Sequence, residues 1–187
     1  MKLHYSNQQL GILAIVLVIA IGISSWLDSD LRIQQRIAGK LWSYQRQTLS
    51  QSELASLILS TPIENWREQG HLRLLSNGEA QLDVAVQLQE LQGPTADLRI
   101  SIQGSWLLSD GFLILKSSHY TALPFNDSGK QLLARHAQPL RDIWLTLFNR
   151  SRPIFLLDER HILLNNQGDS LWVLSTQKSA NMYRVAK

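Results

Sequence analysis

The side chains most able to hold a metal ion in this chain are five histidines: His4, His71, His119, His136 and His161. No two of them are two or four residues apart, the spacing that would place two imidazoles on one face of a strand or helix for a shared metal ion. The sequence contains no cysteine, which excludes a thiolate metal site and a disulfide framework. We therefore expect neither a metal site nor a cofactor.

Two short motifs resemble catalytic groups, but each is better explained as a turn. Asp158 and Glu159 could act as paired carboxylates, yet neighbouring residues on a strand point to opposite faces. Ser109-Asp110-Gly111 could present a nucleophilic serine, but it lacks a matched base, and its composition is that of a turn. The sequence therefore predicts a protein that is not an enzyme.

The elements that position any other site begin with an apolar segment. Residues Leu10 to Leu27 carry no charge, and about 17–25 apolar residues suffice for a helix to cross a membrane. We expect an uncleaved anchor at 10–27 behind a cytoplasmic tail at 1–9. The alternative is a cleaved signal peptide, with small residues at Ala20 and Gly22 or at Gly22 and Ser24 as the cleavage signal.

The remaining residues are expected to form one domain outside the membrane, with a stalk at 28–39, a β-barrel at 40–177 and a flexible tail at 178–187. Residues 28–187 contain 17 basic and 15 acidic side chains, a balance too mild for a nucleic-acid surface. A nine-residue tail is also too short for a winged helix. We expect no direct contact with nucleic acid.

The clearest strands lie between residues 71 and 124. Asn77-Gly78 predicts a hairpin with a tight two-residue turn, and from Ala80 to Gln89 a buried apolar face alternates with a solvent-facing one that is polar except at Ala85. A third arm at 97–108 and a fourth at 112–124 are joined by the Ser109-Asp110-Gly111 turn. Such short connections join antiparallel strands.

A first strand is predicted at 40–49, and three short strands are predicted at 153–158, 161–165 and 170–176. Between them, residues 128–149 change to helical spacing around Pro139, which suggests a break between two short helices. Seven or eight strands with one helical insert predict a mainly β protein. The expected fold is a small antiparallel up-and-down barrel, lipocalin-like, preceded by one transmembrane helix.

Aromatic residues supply a possible ligand site, because barrels of about eight strands enclose at most one small ligand. We assign Trp106 to the core. Core packing stays open as the alternative role for the other aromatic residues. The predicted ligand contacts are four inward aromatic side chains, Tyr120, Trp144, Phe148 and Phe155, with Arg141 and Arg152 at the barrel mouth to bind a charged head group.

The order of these parts resembles the ToxS family. The resemblance rests on the short tail and anchor, on Trp42, and on Leu74-Leu75-Ser76-Asn77-Gly78 leading into a strand. It is strongest from Gly104 to Ile114, where Gly-x-Trp is followed by a Ser-Asp turn and an apolar strand. It ends with Leu163-Leu164 and Leu174-Ser175.

The resemblance implies a function as well as a fold. Members of this family are inner-membrane partners of transmembrane, winged-helix transcription regulators, and they pair with the regulator through the two periplasmic domains. Some relatives respond to bile salts through a pocket shared by the two proteins. The resemblance therefore implies a single-pass protein of the bacterial inner membrane whose C-terminal domain lies in the periplasm. The alternative from the residues alone is a membrane-tethered carrier of a lipid or sterol-like ligand.

Overall fold

The computed structural model describes residues 7–49, 63–91, 93–166 and 170–176. The chain divides into two units, Met1–Arg36 and Ile37–Lys187. The predicted tail at 178–187 and most of that at 1–9 lie outside the described residues. The helices and strands are α1 Asn7–Ile37, β1 Leu41–Leu49, β2 Ile63–Leu74, β3 Glu79–Glu90, β4 Thr95–Ser109, β5 Phe112–Pro124, α2 Asp127–Phe148, β6 Ser151–Leu156, β7 His161–Asn166 and β8 Ser170–Ser175.

The first unit consists mainly of helix α1, which includes the predicted anchor and most of the predicted stalk. Several of its apolar side chains, among them Ile15, Val18 and Ile21, are more than half exposed. Among the described residues, no helix is long and apolar enough to cross a membrane.

The second unit is a closed barrel in which the eight strands follow one another in chain order. Every neighbouring pair is antiparallel, so the predicted up-and-down barrel with a helical insert is confirmed. Strands β2 to β5 are long, whereas β6, β7 and β8 have six residues each. The wall of the barrel is therefore longer along β2 to β5 than along β6 to β8.

Alternation along the strands builds the core, because every second side chain points inward. The predicted inward residues of the third arm, Leu98, Ile100, Ile102 and Trp106, are all buried. On β1, Trp42 and Tyr44 are buried as well. The inward residues of β3 form a continuous apolar row: Ala80, Leu82, Val84, Val86 and Leu88.

The first hairpin turn differs from the prediction. Gly78 has a φ of +85°, but Asn77 has no positive φ, and the Leu75 N–H bonds to the Glu79 carbonyl. The first hairpin thus has a three-residue loop in which glycine alone takes the left-handed conformation. The prediction of a two-residue turn at Asn77-Gly78 is wrong. Asp110 and Gly111 both have positive φ, 56° and 75°, so the tight two-residue turn lies there.

The Gly104-x-Trp106 motif joins three strands. The pairing of β4 with β5 shifts register at Gly104, where a Cβ atom would overlap the Lys116 carbonyl oxygen. A side chain is therefore excluded at this position. Two residues on, the Trp106 indole N–H donates to the Leu75 carbonyl at 2.8 Å, and the Trp106 backbone N–H donates to the Gly78 carbonyl. The tryptophan holds the first hairpin against β4.

Helix α2 lies against the inward face of β4 and β5. It contacts both strands, and the outward residues Arg99 and Gln103 of β4 remain exposed. The helix begins at Asn126, whose side-chain oxygen accepts from the Gly129 N–H at 2.7 Å. It bends at His136, where φ is −132°. This agrees with the predicted break near Pro139, since proline removes a helical hydrogen bond.

Candidate functional site

Tyr120 and Arg141 come together where α2 meets β5. Tyr120 pairs with the inward residue Ile102, so its ring points to the interior. Its hydroxyl group is buried and has no hydrogen-bond partner. Burial raises the pKa of Tyr120 to about 12, while the positive charge of Arg141 acts in the opposite direction. Arg141 itself is exposed, so this pair combines a buried polar atom with an accessible cation.

Trp144 and Phe148 are covered completely by the surrounding residues. Both lie in the second half of α2, and the Trp144 indole N–H has no hydrogen-bond partner. A buried donor without a partner costs about 1–3 kcal/mol. These two rings fill space in the core, and a ligand could reach them only if α2 moved away from the strands.

Phe155 does not lie with the other predicted ligand contacts. Its side chain is 52% exposed, whereas Ile154 beside it is buried. Strand β6 begins at Ser151, two residues earlier than predicted, and its inward positions are Arg152, Ile154 and Leu156. Because neighbouring residues on a strand point to opposite faces, Phe155 points outward. The prediction that it faces the interior is wrong.

Arg152 lies inside the barrel and not at its mouth, contrary to the prediction. Its side chain is only 1% exposed. One guanidinium nitrogen donates to the carbonyl oxygens of Phe148 at 3.4 Å and Arg150 at 3.2 Å, and the guanidinium carbon lies 5.0 Å from the Trp172 ring centroid. Burial and the Arg150 charge lower the pKa of Arg152 to about 10, against a smaller raising effect from Tyr44.

Two further interior residues were missed by sequence reasoning. The Tyr44 ring on β1 stacks on the Trp172 ring on β8, with centroids 4.9 Å apart and planes 12° apart. Glu68 on β2 is missing from the sequence analysis as well. Together with Arg152 it makes up the buried charged residues among those that the structure describes. A charged residue at an inward position breaks the alternation of apolar and polar residues. The one sequence signal for the burial of Glu68 is its place in the strand, two residues from Trp66 and two from Gly70, which both point inward.

The barrel is closed most weakly where β8 meets β1. One described residue pair, Ser43 with Ser175, joins the two strands. We call this pairing the seam. The two next shortest pairings, β6 with β7 and β5 with β6, have three residue pairs each, and the pairing of β5 with β6 spans only residues 112–114 and 151–153. Helix α2 is inserted between these two strands in the chain, which accounts for their limited contact.

Comparison with known proteins identifies the family. Residues 26–175 match the family described as "Trans-membrane regulatory protein ToxS". The chain belongs to the ToxS family. A similar relative is the "Transmembrane regulatory protein ToxS" of Vibrio parahaemolyticus serotype O3:K6 (strain RIMD 2210633), which is 26% identical over 163 residues. The match covers 85% of this chain and 94% of the relative.

Family membership confirms the resemblance that the motifs indicated. The match runs from Trp26 through all eight strands to Ser175, so it includes the seam, the interior residues and α2. The description is that of a regulatory protein and not of an enzyme.

Proposed function

We propose that this protein is a membrane-anchored periplasmic partner that binds and stabilises the periplasmic domain of a transmembrane DNA-binding transcription regulator. Membership of the ToxS family, described as regulatory and trans-membrane, supports the proposal. The structural observation that carries it is the seam. A strand edge with few backbone bonds can pair with a strand from another protein.

The anchor is proposed from residues 10–27. This segment is mostly apolar and carries no charged side chain. Ile12, Val16 and Ile19 of α1 are more than half exposed, and lipid would cover such side chains. We propose that the barrel unit then lies on the periplasmic side of the inner membrane, as the sequence resemblance implies.

A fusion experiment tests this topology. Alkaline phosphatase, which is active only in the periplasm, is fused after Lys187, and the mature chain is sized. We expect an active fusion and an uncleaved chain. An inactive fusion would contradict the periplasmic location, and a chain shortened by about 24 residues, as a signal peptidase would leave it, would contradict the anchor.

Binding of the partner is tested by thermal unfolding of the full-length protein in nanodiscs. A ligand that binds only the folded state raises the melting temperature by mass action. We expect a higher and concentration-dependent Tm when the regulator's periplasmic domain is added. Equal Tm with and without that domain would contradict the proposal.

We also propose that the pair senses an amphipathic molecule such as a bile salt near α2. Tyr120 supplies a buried hydroxyl group and Arg141 an exposed cation, which together suit a ligand with an apolar body and an acidic head. Trp144 and Phe148 would join the site only after α2 has moved, and Arg152 would lie deeper, inside the barrel. Phe155 is left out because it faces outward.

Fluorescence titration tests the sensing role. Bile salts and fatty acids are added below their micellar concentrations to the protein, alone and with the regulator's periplasmic domain. We expect a saturable change in tryptophan emission that weakens in Arg141→Gln and persists in Arg99→Gln, an exposed arginine on the outer face of β4. No saturable change, or equal weakening in both variants, would contradict this site. Binding without any effect of the regulator would instead favour a tethered carrier.

A further inference from the structure

We infer that an interior stack of three side chains holds the seam closed and connects it mechanically to helix α2. The stack consists of Tyr44 on β1, Trp172 on β8 and Arg152 on β6. It is needed because the described backbone pairing between β8 and β1 is one residue pair, whereas β1 and β2 pair along the whole of β1. Side-chain contacts must therefore hold β8 against β1 where backbone hydrogen bonds are few.

The first contact crosses the seam directly. The Tyr44 and Trp172 rings belong to the two strands that form the seam, and they stack at 4.9 Å with nearly parallel planes. Stacked aromatic pairs contribute stabilisation beyond the apolar area that they bury. The ring contact therefore ties β8 to β1 without a backbone hydrogen bond.

The second contact fixes the position of the tyrosine. Tyr44 is paired with Gly70 on β2, and a Cβ atom at Gly70 would overlap the Tyr44 ring. The ring therefore lies directly over the glycine, with Trp172 as its stacking partner. Any side chain at position 70 would push the ring away, so glycine is required here for a close approach and not for a turn.

The third contact extends the stack to α2. The Arg152 guanidinium lies over the Trp172 ring at 5.0 Å, and it donates to the carbonyl of Phe148, the last residue of α2. A cation is favourable at a helix C-terminus, and a cation over an indole ring is favourable in a desolvated interior. Arg152 thus joins the end of α2 to the strand that forms the seam.

A consequence for regulation follows, and it rests on the proposed function. If the regulator's periplasmic domain pairs at the seam, it must change the contact between Tyr44 and Trp172. Arg152 then loses or shifts its aromatic partner, and the end of α2 that it holds becomes less constrained. Partner binding at the seam would in this way loosen the end of α2, the helix that carries Arg141 and packs beside Tyr120.

Hydrogen–deuterium exchange of the full-length protein in nanodiscs, without partner, tests the stack. The peptides to follow cover residues 41–45, 170–176 and 140–148. In Trp172→Leu we expect exchange of the two seam peptides to rise roughly tenfold or more, because local opening becomes easier. In Arg152→Met the peptide 140–148 should exchange faster as well.

Trp106→Leu is the matched control. Trp106 and Trp172 are buried to a similar extent, but Trp106 lies on β4 and holds the first hairpin. This variant should speed exchange around residues 75–79 and leave the seam peptides protected. If Trp106→Leu opens the seam as much as Trp172→Leu does, the stack does not hold the seam and the inference is overturned.

Gly70→Ala is a second test, for the case in which loss of the large Trp172 ring unfolds the barrel. It keeps all three side chains of the stack and only displaces the Tyr44 ring, so it should speed exchange of the seam peptides by several-fold, less than Trp172→Leu. Seam peptides with wild-type protection in Gly70→Ala would overturn the inference.

Addition of the regulator's periplasmic domain to the wild-type protein tests the coupling. We expect altered exchange in the seam peptides and, together with it, in 140–148. Binding that changes the seam but not 140–148 would overturn the coupling. Absence of binding would contradict the proposed function, while the partner-free experiment still decides whether the stack holds the seam.

Discussion

Replacement of Trp106 by phenylalanine, compared with the same replacement of Trp66, isolates one hydrogen bond of the Gly-x-Trp motif. The two tryptophans are 6% and 8% exposed, so both substitutions remove the same ring atoms from similar surroundings. They differ in their hydrogen bonding: the Trp106 indole N–H donates to the Leu75 carbonyl, and the Trp66 indole N–H has no partner.

The expected magnitudes follow from that difference. Loss of the second ring removes on the order of 40 Å² of buried apolar area, or about 1 kcal/mol in either variant. Trp106→Phe also removes one of the two donors to the Leu75 carbonyl, which keeps its bond from the Gly78 N–H, and the loss of one hydrogen bond costs about 0.5–1.5 kcal/mol more. Trp66→Phe removes an unsatisfied buried donor and regains a similar amount. We expect Trp106→Phe to destabilise by about 1.5–2.5 kcal/mol, and Trp66→Phe by about 1 kcal/mol or less.

Thermal unfolding followed by far-UV circular dichroism measures both variants without relying on tryptophan emission. At about 2–4 °C per kcal/mol for a chain of this size, the Tm of Trp106→Phe should fall by roughly 3–10 °C. The Tm of Trp66→Phe should stay within about 4 °C of the wild type. Equal losses in the two variants would refute the role of this hydrogen bond in holding the hairpin.

Three further predictions concern the barrel. Gly104→Ala should destabilise by about 1–3 kcal/mol in urea unfolding, since its Cβ would overlap the Lys116 carbonyl oxygen; unchanged stability would contradict the close approach. Asn126→Ala should cost about 1–2 kcal/mol, because the Gly129 N–H loses its acceptor; hydrogen exchange should rise first at residues 127–131. The folded-state pKa of Tyr120 is raised from 10 to about 12, so its contribution to stability is present below pH 10 and is lost as the pH rises through 12. Tyr120→Phe should lack this alkaline loss, and an unchanged pH profile would contradict the assignment.

The long strands could be predicted from the sequence because every second residue is apolar without interruption. From Ala80 to Leu88 and from Leu98 to Ile102 one face is apolar and the other polar, and a slip of one residue would expose the whole apolar row. The turn types could not be predicted as well. Asn77-Gly78 and Asp110-Gly111 have equivalent compositions, and only the pairing of the flanking strands decides which becomes the two-residue turn.

Which side chains point into the barrel could be predicted only in part, because a short strand contains too few residues for its alternation to show which face is buried. In β6 Arg152 points inward beside Ile154, whereas Phe155 points outward; for Arg152 and Phe155 this is the reverse of what hydrophobicity alone favours. The burial of Arg152 depends on the nearby Phe148 carbonyl and also on a group distant in sequence, the Trp172 ring. Local pattern carries no information about such partners.

Affinity capture of the intact protein from its native membrane, with mass spectrometry of the co-purifying proteins, tests the central claim most directly. The account predicts one stoichiometric partner, a membrane protein with a DNA-binding domain on the cytoplasmic side and a second domain in the periplasm. It also predicts that deletion of that periplasmic domain abolishes co-purification. Recovery of the protein alone, or capture that survives the deletion, would contradict the account.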